Sequence, residues 1–265
     1  MAYFENKVVW ITGASSGIGA ALARHFAKAG SQLILSARRK PQLEEVKESC
    51  NRSDKDILVL PLDLGEHDSF TGKTEEALAH FGRIDILINN GGISQRSLIL
   101  DTDISVYKKL IDIDYLGTVA LTKAVLPVFV KQKSGHFAVV TSLMGKFASP
   151  LRSGYCGAKH ALHGFFDVLR MEHEKDNIKV LTICPGFIRT NISINALSSD
   201  GTKQNSMDKS TDAGMSPEDC AAEIAAAIKK EKYEVLIGGK ETFAVYLKRF
   251  FPRLLHRVVM RSEVT

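Results

Sequence analysis

The sequence predicts an α/β fold: a doubly wound, mainly parallel sheet of about seven strands with helices on both faces. Three observations carry this expectation. Short apolar runs alternate with helical patterns along the whole chain. The first apolar run leads at once into a glycine-rich turn. Later runs also end in turn residues at their carboxyl ends, where ligands sit in open sheets of this kind. With 265 residues, 45% of them hydrophobic and 25% charged, the chain is long enough to cover both faces of such a sheet. No linker and no repeat of 20–50 residues divides it, so one domain over residues 1–265 is expected.

The elements follow in order. Residues 8–11 form a first strand, ended by Thr12-Gly-Ala-Ser-Ser-Gly-Ile-Gly19. An alanine-rich helical pattern follows and stops at Gly30. Gly13, Gly17 and Gly19 give a turn without Cβ atoms, through which a pyrophosphate can reach backbone amides at a helix N-terminus. A plain glycine-rich β–α turn is the competing reading, and the strand before and helix after favour the phosphate site. Residues 32–35 form a second strand that ends near Arg38 and Arg39. An acidic residue near this position would accept hydrogen bonds from an adenosine ribose. Arginines stand there instead, and guanidinium suits a 2′-phosphate. The pattern therefore selects NADP(H) over NAD(H).

Residues 57–60 are a third strand, followed by Pro61-Leu-Asp-Leu64 and a helix over 69–81. A fourth strand at 84–88 is apolar enough to be buried on both faces and ends in Asn89-Asn-Gly-Gly92. A long helix over about 105–131 passes through Asp114, with Pro127 expected to end or kink it. A fifth strand, 135–141, ends at Ser142, and a helix over about 154–174 carries Tyr155 and Lys159. A sixth strand, 178–183, ends in Cys184-Pro-Gly186. Residues 192–216 are polar and weakly periodic, which predicts a substrate lid or a locally disordered segment. A helix over 218–230, with Ser216 as N-cap and Pro217 at its first position, leads to a last strand at 233–237.

Several function classes are excluded or disfavoured. The net charge of +5 is mild and lacks the clustered basic face with interleaved aromatics that nucleic acid requires. Cys50, Cys156, Cys184 and Cys220 show no C-x-x-C spacing, so neither a zinc site nor a disulfide framework is expected. No run of about 18 consecutive apolar residues predicts a spanning helix, and the first residues show no signal pattern. A cytoplasmic setting is expected.

Tyr155 and Lys159 stand four residues apart, so on a helix a phenol and an ammonium project from one face. A nearby cation favours phenolate over phenol, as proton transfer to or from an alcohol or ketone oxygen requires. By itself this pair is a common coincidence. It gains weight from the nucleotide turn and from Ser142, thirteen residues earlier at a strand end.

The chain resembles the short-chain dehydrogenases/reductases over essentially its full length. The resemblance rests on Thr12–Gly19, Asp63-Leu64, Asn89-Asn-Gly-Gly92, Ser142, Tyr155-Cys-Gly-Ala-Lys159 and Pro185-Gly186, in order and at the usual spacing. It implies a Rossmann-like fold and a role for each matching residue. Gly13, Ser15, Ser16, Gly17, Ile18 and Gly19 would wrap the cofactor phosphates. Arg38, with Arg39 and Ser15, would meet the 2′-phosphate. Asp63 and Leu64 would flank the adenine, and Asn90 and Gly91 would line the ribose. Pro185, Gly186, Ile188 and Thr190 would hold the nicotinamide end. Tyr155 would be the general acid for ketone reduction and the base for alcohol oxidation. Lys159 would bind the nicotinamide ribose and assist Tyr155, and Ser142 would hydrogen-bond the substrate oxygen. The resemblance also implies a homodimer or homotetramer.

Two positions depart from the family pattern. Gly91 replaces a usual alanine, a small change. Asp114 stands where an asparagine usually holds a bend in the long helix and a water joined to the lysine. Asp lacks the amide donor and can carry charge, so it would partly neutralise Lys159 and move the pH optimum for oxidation upward. The bland reading is that Asp114 only caps backbone groups.

The tail, residues 241–265, is amphipathic. Phe243, Leu247, Phe250, Phe251, Leu254, Leu255, Val258 and Val259 fall at helical intervals, with Pro252 bending or restarting the helix. Six basic against two acidic side chains over 240–265 place four of the five net positive charges there. The stripe can pack on the body or a second subunit, border an apolar substrate entrance, or lie on an anionic membrane surface. Ser142-Leu-Met-Gly-Lys146, the run after Tyr155 and this tail resemble the branch that contains 11β-hydroxysteroid dehydrogenases and related lipid-active reductases. That implies a hydrophobic carbonyl or alcohol substrate. His160 and His163 read as packing residues without chemistry. A nucleotide-binding sensor or scaffold with little turnover is the alternative from another class, invited by Asp114 and opposed by the intact Ser142, Tyr155 and Lys159.

Overall fold

Seven strands, β1 (Val8–Thr12), β2 (Gln32–Ser36), β3 (Ile57–Val59), β4 (Ile86–Asn89), β5 (Gly135–Val140), β6 (Ile178–Pro185) and β7 (Glu234–Ile237), pair in parallel in the order β3-β2-β1-β4-β5-β6-β7. This computed structural model describes residues 3–262; Met1, Ala2 and the last three residues of the predicted tail, Glu263 among them, lie outside the described residues. The strand order reverses between β1 and β4, so a crevice opens above their carboxyl ends.

Side chains alternate along each strand and feed two cores. Val9 and Ile11 of β1 pack against α1 (Gly17–Lys28), α2 (Lys40–Ser49) and α8 (Pro217–Lys229). Val8 and Trp10 face the other side, covered by α3 (Phe70–Phe81), α5 (Thr118–Gln132) and α6 (Ser153–Glu172). The Trp10 indole, fully buried, donates to Ser36 Oγ at 2.9 Å, and Ser36 Oγ donates to Leu60 O at 2.7 Å. That chain satisfies the polar atoms that the first two strands bury.

The long helix predicted over 105–131 is built in three pieces. α4 (Ile104–Leu110) runs into a π-helical turn, Ile111–Gly117, and then into α5. Pro127 does not end α5, which continues to Gln132 and stops at left-handed Lys133. Val125 and Phe129, on either side of the proline, are fully buried and hold the helix to the sheet through the lost hydrogen bond. The combined span Ile104–Gln132 is long and apolar enough to cross a membrane, although no uninterrupted apolar run betrays it. Here Leu121, Val125 and Phe129 pack on the sheet, while Ile104, Ile111 and Leu116 are exposed.

The polar segment 192–216 is more ordered than its composition suggests. Leu197 bridges to both Gln95 and Lys203, Ile188 bridges to Met215, and a short helix, α7 (Lys209–Asp212), closes it. Ser193, Ala196, Leu197 and Asp208 are buried. The tail forms α9 (Ala244–Phe250) and α10 (Pro252–Arg261), with the break at Phe251-Pro252 as the proline requires. Its apolar stripe splits. Leu255 is buried with Leu143, Phe147 and Cys184, and Leu247 and Val259 pack beside them. Phe250, Phe251, Leu254 and Val258 remain exposed. All four cysteines are free and buried.

His136 on β5 is 5% exposed, and its Nε2 has no hydrogen-bond partner among the described residues. Burial first, and then the charges of Lys179 and Lys7, push its pKa down from 6.5 to about 4. Between these values the unfolded chain binds the extra proton, so stability rises with pH across the window and is lost as pH falls from about 6.5 to 4. The expected slope from this residue is up to about 1.4 kcal/mol per pH unit. Denaturant unfolding at a series of pH values should show this dependence, and His136→Gln should flatten it.

Candidate active site

The site begins with two turns tied together by one hydroxyl. Thr12 Oγ1, at the end of β1, accepts from the amides of Asn90 at 3.0 Å and Gly91 at 2.9 Å, at the end of β4. Asn90 Nδ2 returns a hydrogen bond to Thr12 O at 2.9 Å. Gly13 (φ +63°) and Gly17 (φ +52°) adopt the left-handed conformation, which favours glycine. A Cβ on Gly19 would stand 2.2 Å from Gly13 O, so α1 can start this close to the turn only with glycine there. The α1 N-cap, Ser16, makes no side-chain cap bond, and no acidic residue lies in the first turn. The positive end of a 12-residue helix therefore faces the crevice with its amides available to an anion.

A cleft of about 1120 Å³ runs along this edge of the sheet. Of the sequence-predicted residues, it is lined by Gly13, Ser15, Ser16, Gly17, Ile18, Arg38, Arg39, Asp63, Leu64, Asn90, Gly91, Ser142, Tyr155, Lys159, Pro185, Gly186, Ile188 and Thr190. Gly19 and Asp114 do not line it; Gly19 lies beneath the turn and Asp114 behind Lys159. Arg38 and Arg39 are exposed at the end of β2. The glycine turn, the uncapped helix end and these arginines fit a phosphate-bearing dinucleotide in charge and in space.

Ser142 lies two residues beyond β5 and caps the short helical turn Leu143–Gly145, where its Oγ accepts from Met144 N at 3.1 Å. Tyr155 and Lys159 lie one turn apart near the start of α6. Tyr155 packs against Val106, Leu110 and Leu197. The Lys159 ammonium lies 5.6 Å from the centre of the Tyr155 ring and donates to Val140 O at 3.3 Å.

Asp114 sits in the π turn and is completely buried. Its Oδ1 accepts from Ile93 N at 2.8 Å, while Oδ2 stands 3.7 Å from Lys159 Nζ with no hydrogen-bond partner among the described residues. Burial raises its carboxyl pKa, against the opposing pull of Lys159 and the Ile93 amide. A Cβ on Gly92 would lie 3.1 Å from Asp114 Oδ1 and 3.3 Å from Lys159 Nζ, a tight contact that would push this pair back by a few tenths of an ångström.

At the site, Glu241, Arg96 and Arg152 carried no sequence signal, whereas the apolar stripe of the tail did. Glu241, at the start of the tail, accepts from the amides of Phe187 at 3.2 Å and Gly239 at 3.0 Å. A Cβ on Gly186 would fall 2.4 Å from the same oxygen. Phe243, Ala244, Leu247, Leu255, Val258 and Val259 line the cleft, so the tail packs on the body and borders the opening at once. Arg96 and Arg152, in irregular segments, line it too. Behind the Pro185 turn, His163 lies between Cys184 Sγ (3.8 Å from Nε2) and Glu234 (3.7 Å from Nδ1), a grouping that neither spacing nor periodicity announces.

The comparisons with known proteins agree with this architecture. Residues 7–200 match the short chain dehydrogenase family. The human protein named dehydrogenase/reductase SDR family member 7 is 46% identical over 253 residues, covering 93% of this chain and 75% of the relative. Mouse dehydrogenase/reductase SDR family member 7B is 41% identical, covering 97% of this chain and 81% of the relative. A short chain dehydrogenase/reductase from Burkholderia phymatum, solved in complex with NAD, superposes with a TM-score of 0.84 over 96% of both chains at 20% identity, a likeness of fold. The chain belongs to the short chain dehydrogenase family.

Proposed function

We propose that the protein is an NADP(H)-dependent carbonyl reductase or secondary-alcohol dehydrogenase acting on a hydrophobic, lipid- or steroid-like substrate. The observation that carries this reading is that Ser142, Tyr155 and Lys159 line one cleft with the uncapped glycine turn and Arg38. A bound nicotinamide supplies or takes up the hydride. The chain's own residues do the rest. The glycine turn and the α1 amides bind the phosphates, and Arg38 with Arg39 receives the 2′-phosphate. Ser142 orients the substrate oxygen. Tyr155 gives that oxygen a proton in reduction and takes it in oxidation. The Lys159 ammonium stabilises negative charge on the phenol oxygen. The apolar lining from α9 and α10 excludes water and selects a hydrophobic body.

The exposed Phe250, Phe251 and Leu254, with Lys248, Arg249 and Arg253 next to them in the chain, support peripheral contact of a cytoplasmic protein with an anionic membrane surface. A homodimer or homotetramer is part of the same reading. One observation favours the second reading, a nucleotide sensor with little turnover: the buried Asp114 carboxyl beside Lys159 opposes the ammonium that Tyr155 relies on.

NADPH oxidation across a panel of steroids, retinoids, fatty ketones, sugars and quinones separates the two. Turnover is expected for apolar carbonyls, and Tyr155→Phe should lower it roughly 10²–10⁴-fold while NADPH binding persists. NADPH binding without consumption on any carbonyl would establish the sensor instead. In cofactor titrations, Arg38→Asp should weaken NADPH binding about ten- to a hundredfold and spare NADH. Asp114→Asn leaves the Lys159 charge undiminished at every pH. The acidic limb of the pH–rate profile for alcohol oxidation should then move to lower pH, by up to about one unit. Superimposable profiles would mean that Asp114 only braces the Ile93 amide.

A further inference from the structure

The helix that carries Tyr155 is capped from a distance. The first backbone amides of a helix have no acceptor within it, and the side chain of the residue just before the helix commonly supplies one. In α6 that residue is Arg152, whose side chain makes no cap bond. The acceptor comes instead from Gln95, 59 residues earlier in the chain: its Oε1 accepts from Gly154 N at 2.7 Å. Gly154 is the second residue of α6 and Tyr155 the third. A Cβ on Gly154 would stand 2.8 Å from Leu110 Cδ1, 2.9 Å from Tyr107 Cδ1 and 3.1 Å from Gln95 Oε1, so the glycine lets α4 and Gln95 close on the start of the helix.

Gln95 is itself held by both its side chain and its backbone. It is fully buried, behind the cleft wall that its neighbours Ser94 and Arg96 line. Its Nε2 meets the hydroxyls of Ser97 at 3.1 Å, Thr102 at 3.3 Å and Ser153 at 3.4 Å. Ser153 Oγ in turn shares a hydrogen bond with Tyr107 at 3.0 Å. The Gly154 amide can only donate, which fixes the oxygen end of the Gln95 amide toward α6. On either side of Gln95 the backbone pairs with the segment 192–216: Arg96 N donates to Leu197 O and Leu197 N to Ser94 O, both at 2.8 Å. Leu197 packs against Tyr155. An apolar side chain would fill this space without the cost of burying an amide. What the amide adds is a rigidly held acceptor for the backbone one residue before Tyr155.

We infer that Gln95 is a positioning residue for Tyr155: its side-chain amide caps α6 in place of a residue of that helix and so sets where the phenol stands in the cleft. Gln95 does not line the cleft, so it acts through the start of the helix and not on a ligand. The kinetic consequence rests on the hydride-transfer reading, but the cap is testable without turnover.

The first measurement is steady-state NADPH oxidation with the best carbonyl of the panel. Gln95→Met fills the same space without an acceptor. It should lower kcat about ten- to a hundredfold, as a small misplacement of a reacting group does. The affinity for NADPH, carried mainly by the glycine turn, should stay within about twofold of wild type. Gln95→Glu keeps an acceptor for Gly154 N and can take hydrogens from the Ser97 and Ser153 hydroxyls, so it should keep most of the wild-type rate. Gln95→Asn, one carbon shorter, should show the Gln95→Met split in milder form, and it decides the matter should Gln95→Met fail to fold. The second measurement is amide hydrogen exchange of the NADPH-loaded protein. Gln95→Met should speed exchange over residues 153–156 about five- to tenfold and leave the rest of α6 as it was. That result in a protein that reduces no carbonyl upholds Gln95 as the cap that places Tyr155 and overturns the hydride-transfer reading alone. Unchanged exchange, an unchanged kcat, or a fall in kcat matched by lost NADPH affinity and shared by Gln95→Glu overturns the positioning role and leaves the reaction intact.

Discussion

A parallel sheet gathers the carboxyl ends of all its strands on one edge, and the hydroxyl of Thr12 closes the gap where the strand order reverses. With its two amide partners at the start of the Asn90-Gly91 turn, it holds the ends of β1 and β4 at a fixed separation. The left-handed Gly13 and the tight approach of Gly19 follow from that separation. So does the direction of α1, whose amides point into the crevice. On the other side, the Asn90-Gly91-Gly92 turn leads to Ile93, whose amide fixes Asp114 and through it the neighbourhood of Lys159. A single threonine hydroxyl thus lies between the glycine-turn end of the cleft and its buried ammonium.

Much of this was legible in the sequence because the determinants are local. A glycine turn needs glycines within a few residues, a parallel strand needs a short apolar run, and Pro252 breaks the tail's helical stripe where it stands. The sheet, its two covering layers and the gathering of Ser142, Tyr155 and Lys159 at one cleft were within reach of such patterns. Features that depend on packing between distant segments were not. The π turn around Asp114 is held by contacts that the helical pattern does not encode; a Cβ on Gly117 would stand 2.3 Å from Leu64 O. Pro127 reads as a helix breaker until Val125 and Phe129 are seen anchoring both sides of it. The segment 192–216 looks disordered because its order comes from backbone bridges and a buried aspartate, neither of which leaves a periodic trace.

The buried charges follow different logics. Asp208 is surrounded by donors, whose hydrogen bonds hold its carboxyl below the usual range against the upward pull of burial. Asp114 has one strong amide donor, an ammonium beyond hydrogen-bond reach and an unpartnered oxygen, so burial dominates and its proton is held more tightly. Carboxylates of nearly equal exposure therefore shift oppositely within one protein, because several donors outweigh desolvation in one case, while one amide and a nearby ammonium fall short of it in the other.

The carboxylate of Glu241 belongs to the first residues of the tail, yet it grips the turn after β6 through the Phe187 amide. Beyond it, the same tail supplies Leu247, Leu255 and Val259 to the cleft. Roof and floor are therefore mechanically one part. The tail cannot swing outward without stripping the Phe187 and Gly239 amides of their acceptor, and the Pro185-Gly186 turn cannot shift without dragging on the roof. Movement of the tail and movement of that turn are thus tied through a single side chain.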